Sequence, residues 1–225
     1  NDPPVFAMSR DVTVNEDFIG AEIVSVLPGG VPSDEQAQMV TYSLSPSAVS
    51  FATATIDAGT GKVSIRSLPN GTGSQVFTIT ADDGQGVNQL ATATFTLMVQ
   101  PVNDAPAFSL SGDVTADEDF TGERTVTVTP GPVPADEQDQ VVSYSLSPSS
   151  VPFANVSIDS ATGEVSILSA PNGNGSQSFI VTADDGQASN RSAVAGFTLT
   201  VNPINEPPTF SVDGVKELFN EWEHH

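Results

Sequence analysis

The residues with chemical potential in this chain are acids set in short clusters. They run Glu16-Asp17, Asp34-Glu35 and Asp82-Asp83, then Asn103-Asp104, Glu118, Asp136-Glu137, Asp184-Asp185 and Asn205-Glu206, with Asp2 near the start. Carboxylate and amide oxygens are hard donors, and Ca2+ takes about six to eight of them at once. No contiguous loop has the twelve-residue spacing of an EF-hand, so only a folded domain could gather these clusters around an ion. The plainer reading is a solvated acidic surface, and composition alone does not separate the two.

Charge and residue usage exclude other chemistry. Twenty-eight acids against six bases give a net charge of −22, a field that repels nucleic acid and anionic membranes. The chain has no cysteine, and its two histidines are His224 and His225 at the extreme C-terminus, read as the remnant of a purification tag. Ser–His–Asp, Cys–His and histidine–zinc machinery are therefore unavailable. Paired carboxylates could hydrolyse glycosides, but these sit in polar Asp/Gly-rich stretches with nothing apolar to raise one pKa. The reading is non-catalytic.

The elements that must position the acids are set by a repeat. Asn1-Asp2-Pro3-Pro4-Val5-Phe6 returns as Asn103-Asp104-Ala105-Pro106-Ala107-Phe108 and again as Asn205-Glu206-Pro207-Pro208-Thr209-Phe210, at an offset of 102 both times. Residues 1–102 align with 103–204 without a gap, and 61 of the 102 positions match. This predicts two domains, 1–102 and 103–204, with 205–225 holding the start of a third linker and a short tail. The absence of a leader and the start inside a linker-like motif suggest an excerpt of a longer protein. No apolar run approaches transmembrane length.

Within the first copy, alternating or β-branched runs predict strands near Val12–Val14, Ile23–Val26, Val40–Leu44, Ala52–Ile56, Val63–Ile65, Val76–Ala81 and Ala93–Val99. Turn-forming stretches such as Gly59-Thr60-Gly61 and Pro69-Asn70-Gly71 lie between them. Seven short strands in about a hundred residues is the count of an immunoglobulin-like Greek-key sandwich, so the expected fold is all-β with two such sandwiches in tandem. Core candidates are Val12, Val14, Val24, Val26, Tyr42, Leu44, Ile56, Val63, Ile65, Phe77, Ile79, Phe95, Leu97 and Val99.

A sandwich collects its loops at two ends. Asp34-Glu35, Asp82-Asp83 and the entering linker Asn1-Asp2 should share one end, with Glu16-Asp17 near the other, beside Asn103-Asp104. Stacking the copies then gathers Glu16, Asp17, Asn103, Asp104, Asp136, Glu137, Asp184 and Asp185 at a central junction. Carboxylates so close repel unless a cation neutralises them. Calcium there would rigidify an otherwise mobile hinge. Weaker half-sites are expected from Asp2, Asp34, Glu35, Asp82 and Asp83 at the N-terminal end, and from Glu118, Asn205 and Glu206 at the C-terminal end.

These motifs resemble cadherins. Asn103-Asp104-Ala105-Pro106-x-Phe108 is similar to the cadherin Asp-x-Asn-Asp-Asn-Ala-Pro-x-Phe linker, Ile56-Asp57-x-x-Thr60-Gly61-x-Val63 to its Ile-Asp-x-x-Thr-Gly-x-Ile segment, and Thr80-Ala81-Asp82-Asp83-Gly84 to its Ala-x-Asp-x-Gly stretch. The join and the Glu-Asp pair after it most resemble the cadherin-like tandem repeats of large bacterial surface proteins and adhesins. The resemblance implies calcium-dependent adhesion or stalk formation at the cell surface or outside the cell. The chain departs where cadherins carry Leu-Asp-Arg-Glu: it has Leu68-Pro69-Asn70-Gly71 and Ala170-Pro171-Asn172-Gly173. Its Asp-x-Asp motif is reduced to Asp-Glu, and its linker lacks the first Asp and last Asn. That implies about one or two ions per junction in place of about three.

The expected partners are neighbouring repeats of the same chain, together with other surface proteins or polysaccharide. Nucleic acid and direct membrane insertion are not expected. The rival reading is a carbohydrate-binding module, which needs exposed aromatic platforms; aromatics are 7% of residues and mostly repeat-matched Phe. In the tail, Val215, Leu218, Phe219 and Trp222 have the i, i+3, i+4, i+7 spacing of an amphipathic helix with Asp213 as a candidate N-cap.

Overall fold

A computed structural model describes residues 1–210; the helix expected from Asp213 onward lies outside them. Among the described residues there is no helix, and none long and apolar enough to cross a membrane. The described residues are all-β and form two tandem β-sandwiches.

By packing, the chain divides into two compact units. The first is Asn1–Ala107 with Pro130–Val142 and Asp184–Ala193; the second is Phe108–Thr129, Ser143–Ala183 and the chain from Val194. The first unit thus contains the 103–104 linker and the second-copy pairs Asp136-Glu137 and Asp184-Asp185.

The first unit holds β1 (Phe6–Met8), β2 (Val12–Asn15), β3 (Glu22–Val24), β4 (Val26–Pro28), β5 (Thr41–Ser45), β6 (Ala52–Ile56), β7 (Val63–Ser67), β8 (Gly73–Asp82) and β9 (Leu90–Gln100). One sheet runs β2-β9-β8-β5 and the other β3-β7-β6, while β1 pairs with β4. The β2–β9 pairing is parallel, with Val12 opposite Leu97 and Asn15 opposite Gln100. Inward positions of both sheets form one cluster that includes Val24, Val63 and Ile65 from one sheet and Phe77, Ile79, Phe95 and Leu97 from the other. Phe77 and Phe95 are register partners and their rings stack at 5.2 Å, a contact stronger than its buried area alone implies.

Three details depart from the sequence expectation. Strand β1 was not anticipated, because Phe6-Ala7-Met8 is too short to show alternation, and the run Ile23–Val26 is broken at Ser25 into β3 and β4. Val14, Tyr42, Leu44 and Ile56 lie partly buried against the core instead of inside it, whereas Phe51, Ala52 and Ala54 complete it.

The Ile-Asp-x-x-Thr-Gly segment is a tight β6–β7 turn. Asp57 Oδ1 accepts from the backbone N–H of Gly59 and Thr60 and from the Thr60 hydroxyl, and these bonds hold its carboxyl below the usual range. Gly61 follows at φ 66°, where an added Cβ would lie 2.5 Å from Val26, so glycine is required there twice over.

The second copy repeats the pattern with β10 (Phe108–Leu110), β11 (Val114–Asp117), β12 (Arg124–Val126), β13 (Val128–Pro130), β14 (Ser143–Ser147), β15 (Ala154–Ile158), β16 (Val165–Ser169), β17 (Gly175–Asp184) and β18 (Ser192–Asn202). Its sheets run β11-β18-β17-β14 and β12-β16-β15, and Phe179 and Phe197 repeat the 5.2 Å stack.

Candidate metal centre

Strand parity decides which acids point inward. Along β8 and just past it, Phe77, Ile79, Ala81 and Asp83 share the buried side, and Asp83 is only 5% exposed. Glu16 likewise continues the inward parity of Val12 and Val14 beyond β2 and is 6% exposed. Glu35, Glu118, Glu137 and Asp185 are buried too. A buried carboxylate needs donors or a cation, and each of these acids answers that need differently.

Some hold the linker by hydrogen bonds alone. The side-chain amide of Asn103 donates to Asp185 Oδ2 at 3.0 Å and to the Ser189 carbonyl at 3.0 Å, while its Oδ1 accepts from Gln140 at 2.7 Å. Asn190 donates back to the Asn103 carbonyl at 2.9 Å, and the N–H of Asp104 donates to Glu137 Oε1 at 2.5 Å. The same clasp holds the chain start: Asn1 donates to Asp83 Oδ2, Gln38 to Asn1 Oδ1, Asn88 to the Asn1 carbonyl, and the Asp2 N–H to Glu35 Oε1. Asn103, Glu137 and Asp185 are therefore struts, with much of their bonding capacity spent on the backbone of their own loops.

Glu16 behaves otherwise. Its N–H donates to the Gln100 carbonyl at 2.8 Å, and its Oε1 accepts the Val102 N–H at 2.7 Å. Its Oε2 is buried with no hydrogen-bond partner. Burial pushes the Glu16 carboxyl above its ordinary range; the Val102 N–H opposes this, and the negative charges of Asp136, Asp104 and Asp17 add to it. Asp104 is pushed up for the same reasons, by burial and then by Asp17 and Asp136. The negative charges of Asp17, Asp104 and Asp136 thus act on Glu16, whose Oε2 has no hydrogen-bond partner, and all four residues lie within the first unit.

Asn70 lies between Pro69 and Gly71, the two positions where the cadherin Leu-Asp-Arg-Glu stretch would put acids. Its N–H donates to Asp17 Oδ1 at 3.1 Å and its side-chain amide to Asp104 Oδ2 at 3.0 Å. An amide so placed links Asp17 to the linker without adding charge. As the side chains stand, no three His, Cys, Asp or Glu groups among the described residues are close enough together to grip an ion. What fits calcium is the donor chemistry: hard oxygens, uncompensated negative charge and an unpartnered carboxylate oxygen.

The remaining expected residues are spread more widely. Asp184 pairs with Arg191 at 2.6 Å, and that guanidinium holds its carboxyl below the usual range. Asp34 and Asp136 are exposed and Asp82 half-buried, with Asp82 Oδ1 capping the Gly84 N–H at 2.8 Å. In the second unit, Glu118 accepts the Ile204 N–H at 2.7 Å and the Asn174 amide at 3.0 Å, while Asn205 and Glu206 are exposed. The search for acids missed the amides Asn70, Gln140, Asn174 and Asn190. The repeat itself signals three of them by preserving Gln38/Gln140, Asn88/Asn190 and Asn70/Asn172, whereas Asn174 has Thr72 as its counterpart.

Among solved structures the chain is similar to PcdhgB3 EC1-4, with 14% identity, a TM-score of 0.50, and coverage of 91% of this chain and 50% of that one. It also matches the protocadherin gamma B2 extracellular cadherin domains 1-5, at 14% identity and TM-score 0.49 over 91% of this chain and 40% of that one. A third match is Drosophila N-cadherin EC1-4, at 18% identity and TM-score 0.48 over 86% and 48%. The chain spans half or less of the length of these three proteins. No curated protein matches it. Residues 1–98 match the family model of the bacterial Ig domain.

Proposed function

We propose that the chain is a non-catalytic, extracellular adhesion or spacer module built from repeats at 1–102 and 103–204, with Ca2+ fastening the linker where they join. The observation that carries this reading is the buried, unpartnered Oε2 of Glu16 among the carboxylates of Asp17, Asp104 and Asp136. Bound there, a divalent cation supplies the positive charge that these groups lack. Glu16, Asp17, Asp104 and Asp136 would hold it, while the Asn103 clasp and Glu137 keep the linker in register from the other side. Stiffening follows by linkage, since an ion bound only by the docked form stabilises that form.

The likeness to cadherin ectodomains supports the fold, and the calcium reading rests on the geometry of these residues. A carbohydrate-binding role gains nothing from the structure: among the described aromatic residues only Phe210 is exposed.

The test is thermal melting in millimolar calcium and in excess EDTA, for the wild type and Asp104→Ala. At a hundredfold excess over Kd the ion adds about 2.7 kcal/mol, roughly 10 °C in a domain of this size. Asp104→Ala should lose that increment and remain folded. Identical wild-type curves in the two buffers would refute the reading.

A further inference from the structure

The repeat supplies an internal comparison. Glu16 and Glu118 are equivalent, both are 6% exposed, and each takes a linker N–H on Oε1, from Val102 and Ile204 respectively. They differ at the second oxygen. Glu118 Oε2 accepts the Asn174 side-chain amide at 3.0 Å, whereas Glu16 Oε2 has no partner. The repeat-equivalent of Asn174 is Thr72, whose side chain is shorter and carries no amide.

The backbone does not account for the difference. Both residues sit between glycines, Gly71 and Gly73 in one copy, Gly173 and Gly175 in the other. Gly73 and Gly175 have φ of 154° and 156°, and all four glycines close on Phe51 or Phe153 in the same way. At this position the two copies differ in side-chain reach, Thr72 against Asn174.

We propose that position 72/174 sets how far each linker depends on a cation: Asn174 occupies the place of an ion at Glu118, and Thr72 leaves that place open at Glu16. This rests on the calcium reading of the Glu16 centre. It makes the two linkers unequal, one self-capped by a neutral amide and the other needing an external charge. An ion at an amide-capped glutamate must displace a hydrogen bond to a charged acceptor, which weakens binding by about tenfold or more.

The test uses the full chain as wild type, Thr72→Asn, Thr72→Ser and Asn174→Thr. Calcium binding is read by calorimetric titration and stability by melting in EDTA. Thr72→Asn should melt higher than wild type in EDTA and bind calcium about tenfold more weakly, Thr72→Ser should behave as wild type, and Asn174→Thr should melt lower in EDTA. A wild type with no calcium response overturns the calcium reading and this inference with it. A wild type that binds, beside a Thr72→Asn chain with equal affinity and unchanged EDTA melting, overturns this inference alone. Should Thr72→Asn not fold, unchanged EDTA stability in Asn174→Thr overturns it.

Discussion

Replacing Glu16 with Gln should change the stability of the chain in opposite directions with and without calcium. Glutamine keeps an oxygen to accept the Val102 N–H, which the carboxylate now holds at 2.7 Å. It replaces the unpartnered Oε2 with an NH2 donor in a neighbourhood whose acting charges are Asp136, Asp104 and Asp17. A buried polar group left unsatisfied costs about 1–3 kcal/mol, so Glu16→Gln should gain stability of that order in EDTA. At about 4 °C per kcal/mol for a domain of about a hundred residues, the melting temperature rises by roughly 4–12 °C. In calcium the order reverses: wild type gains about 2.7 kcal/mol at a hundredfold excess over Kd, and the variant, lacking the ligand charge, gains little. Scanning calorimetry in both buffers reads the crossover. A variant less stable than wild type in EDTA would show that the orphaned oxygen imposes no cost. A variant with the full calcium increment would show that Glu16 is not a ligand.

Other consequences follow from the same geometry. Glu16 and Asp104 titrate above their reference values of 4.5 and 3.8, so just above those values the folded chain holds protons that the unfolded chain has released. Calcium-free stability should therefore fall as pH rises through the folded values and recover on acidification back through them, while calcium should cancel the trend; melting scans in EDTA over falling pH check this. Asn103→Ala removes the side chain that ties Asp185, Ser189 and Gln140 together and leaves Asp185 Oδ2 short of a donor. Its cost, about 1–3 kcal/mol, should appear with or without calcium in denaturant melts. Phe77→Ala, deep in the core and stacked on Phe95, should cost about 3–5 kcal/mol and leave calcium stoichiometry unchanged.

The fold was legible because its evidence is periodic. The offset of 102 and the alternation along Phe77, Ile79 and Ala81 each survive local noise, and the buried cluster contains most of the inward set. Strand β1 was not, since three residues hold too little alternation; its place is set by pairing Met8 with Val26 and Phe6 with Pro28. Within the acid pairs, parity was available and only partly used. Counting two residues on from Ala81 or Ala183 reaches Asp83 or Asp185, the buried members, and leaves Asp184 facing Arg191. The amides were the harder case. Asn70, Asn103 and Asn174 are ordinary turn residues by type, and their roles depend on which carboxylate oxygen lies about 3 Å away, a fact that no spacing rule contains.

The most direct test of the calcium account is a calorimetric titration of calcium into the intact chain, alongside Glu16→Gln and Asp104→Ala. The account predicts saturable binding of about one or two ions, abolished or strongly weakened in both variants. A wild-type titration without saturable heat, or one that both substitutions leave unchanged, would contradict it.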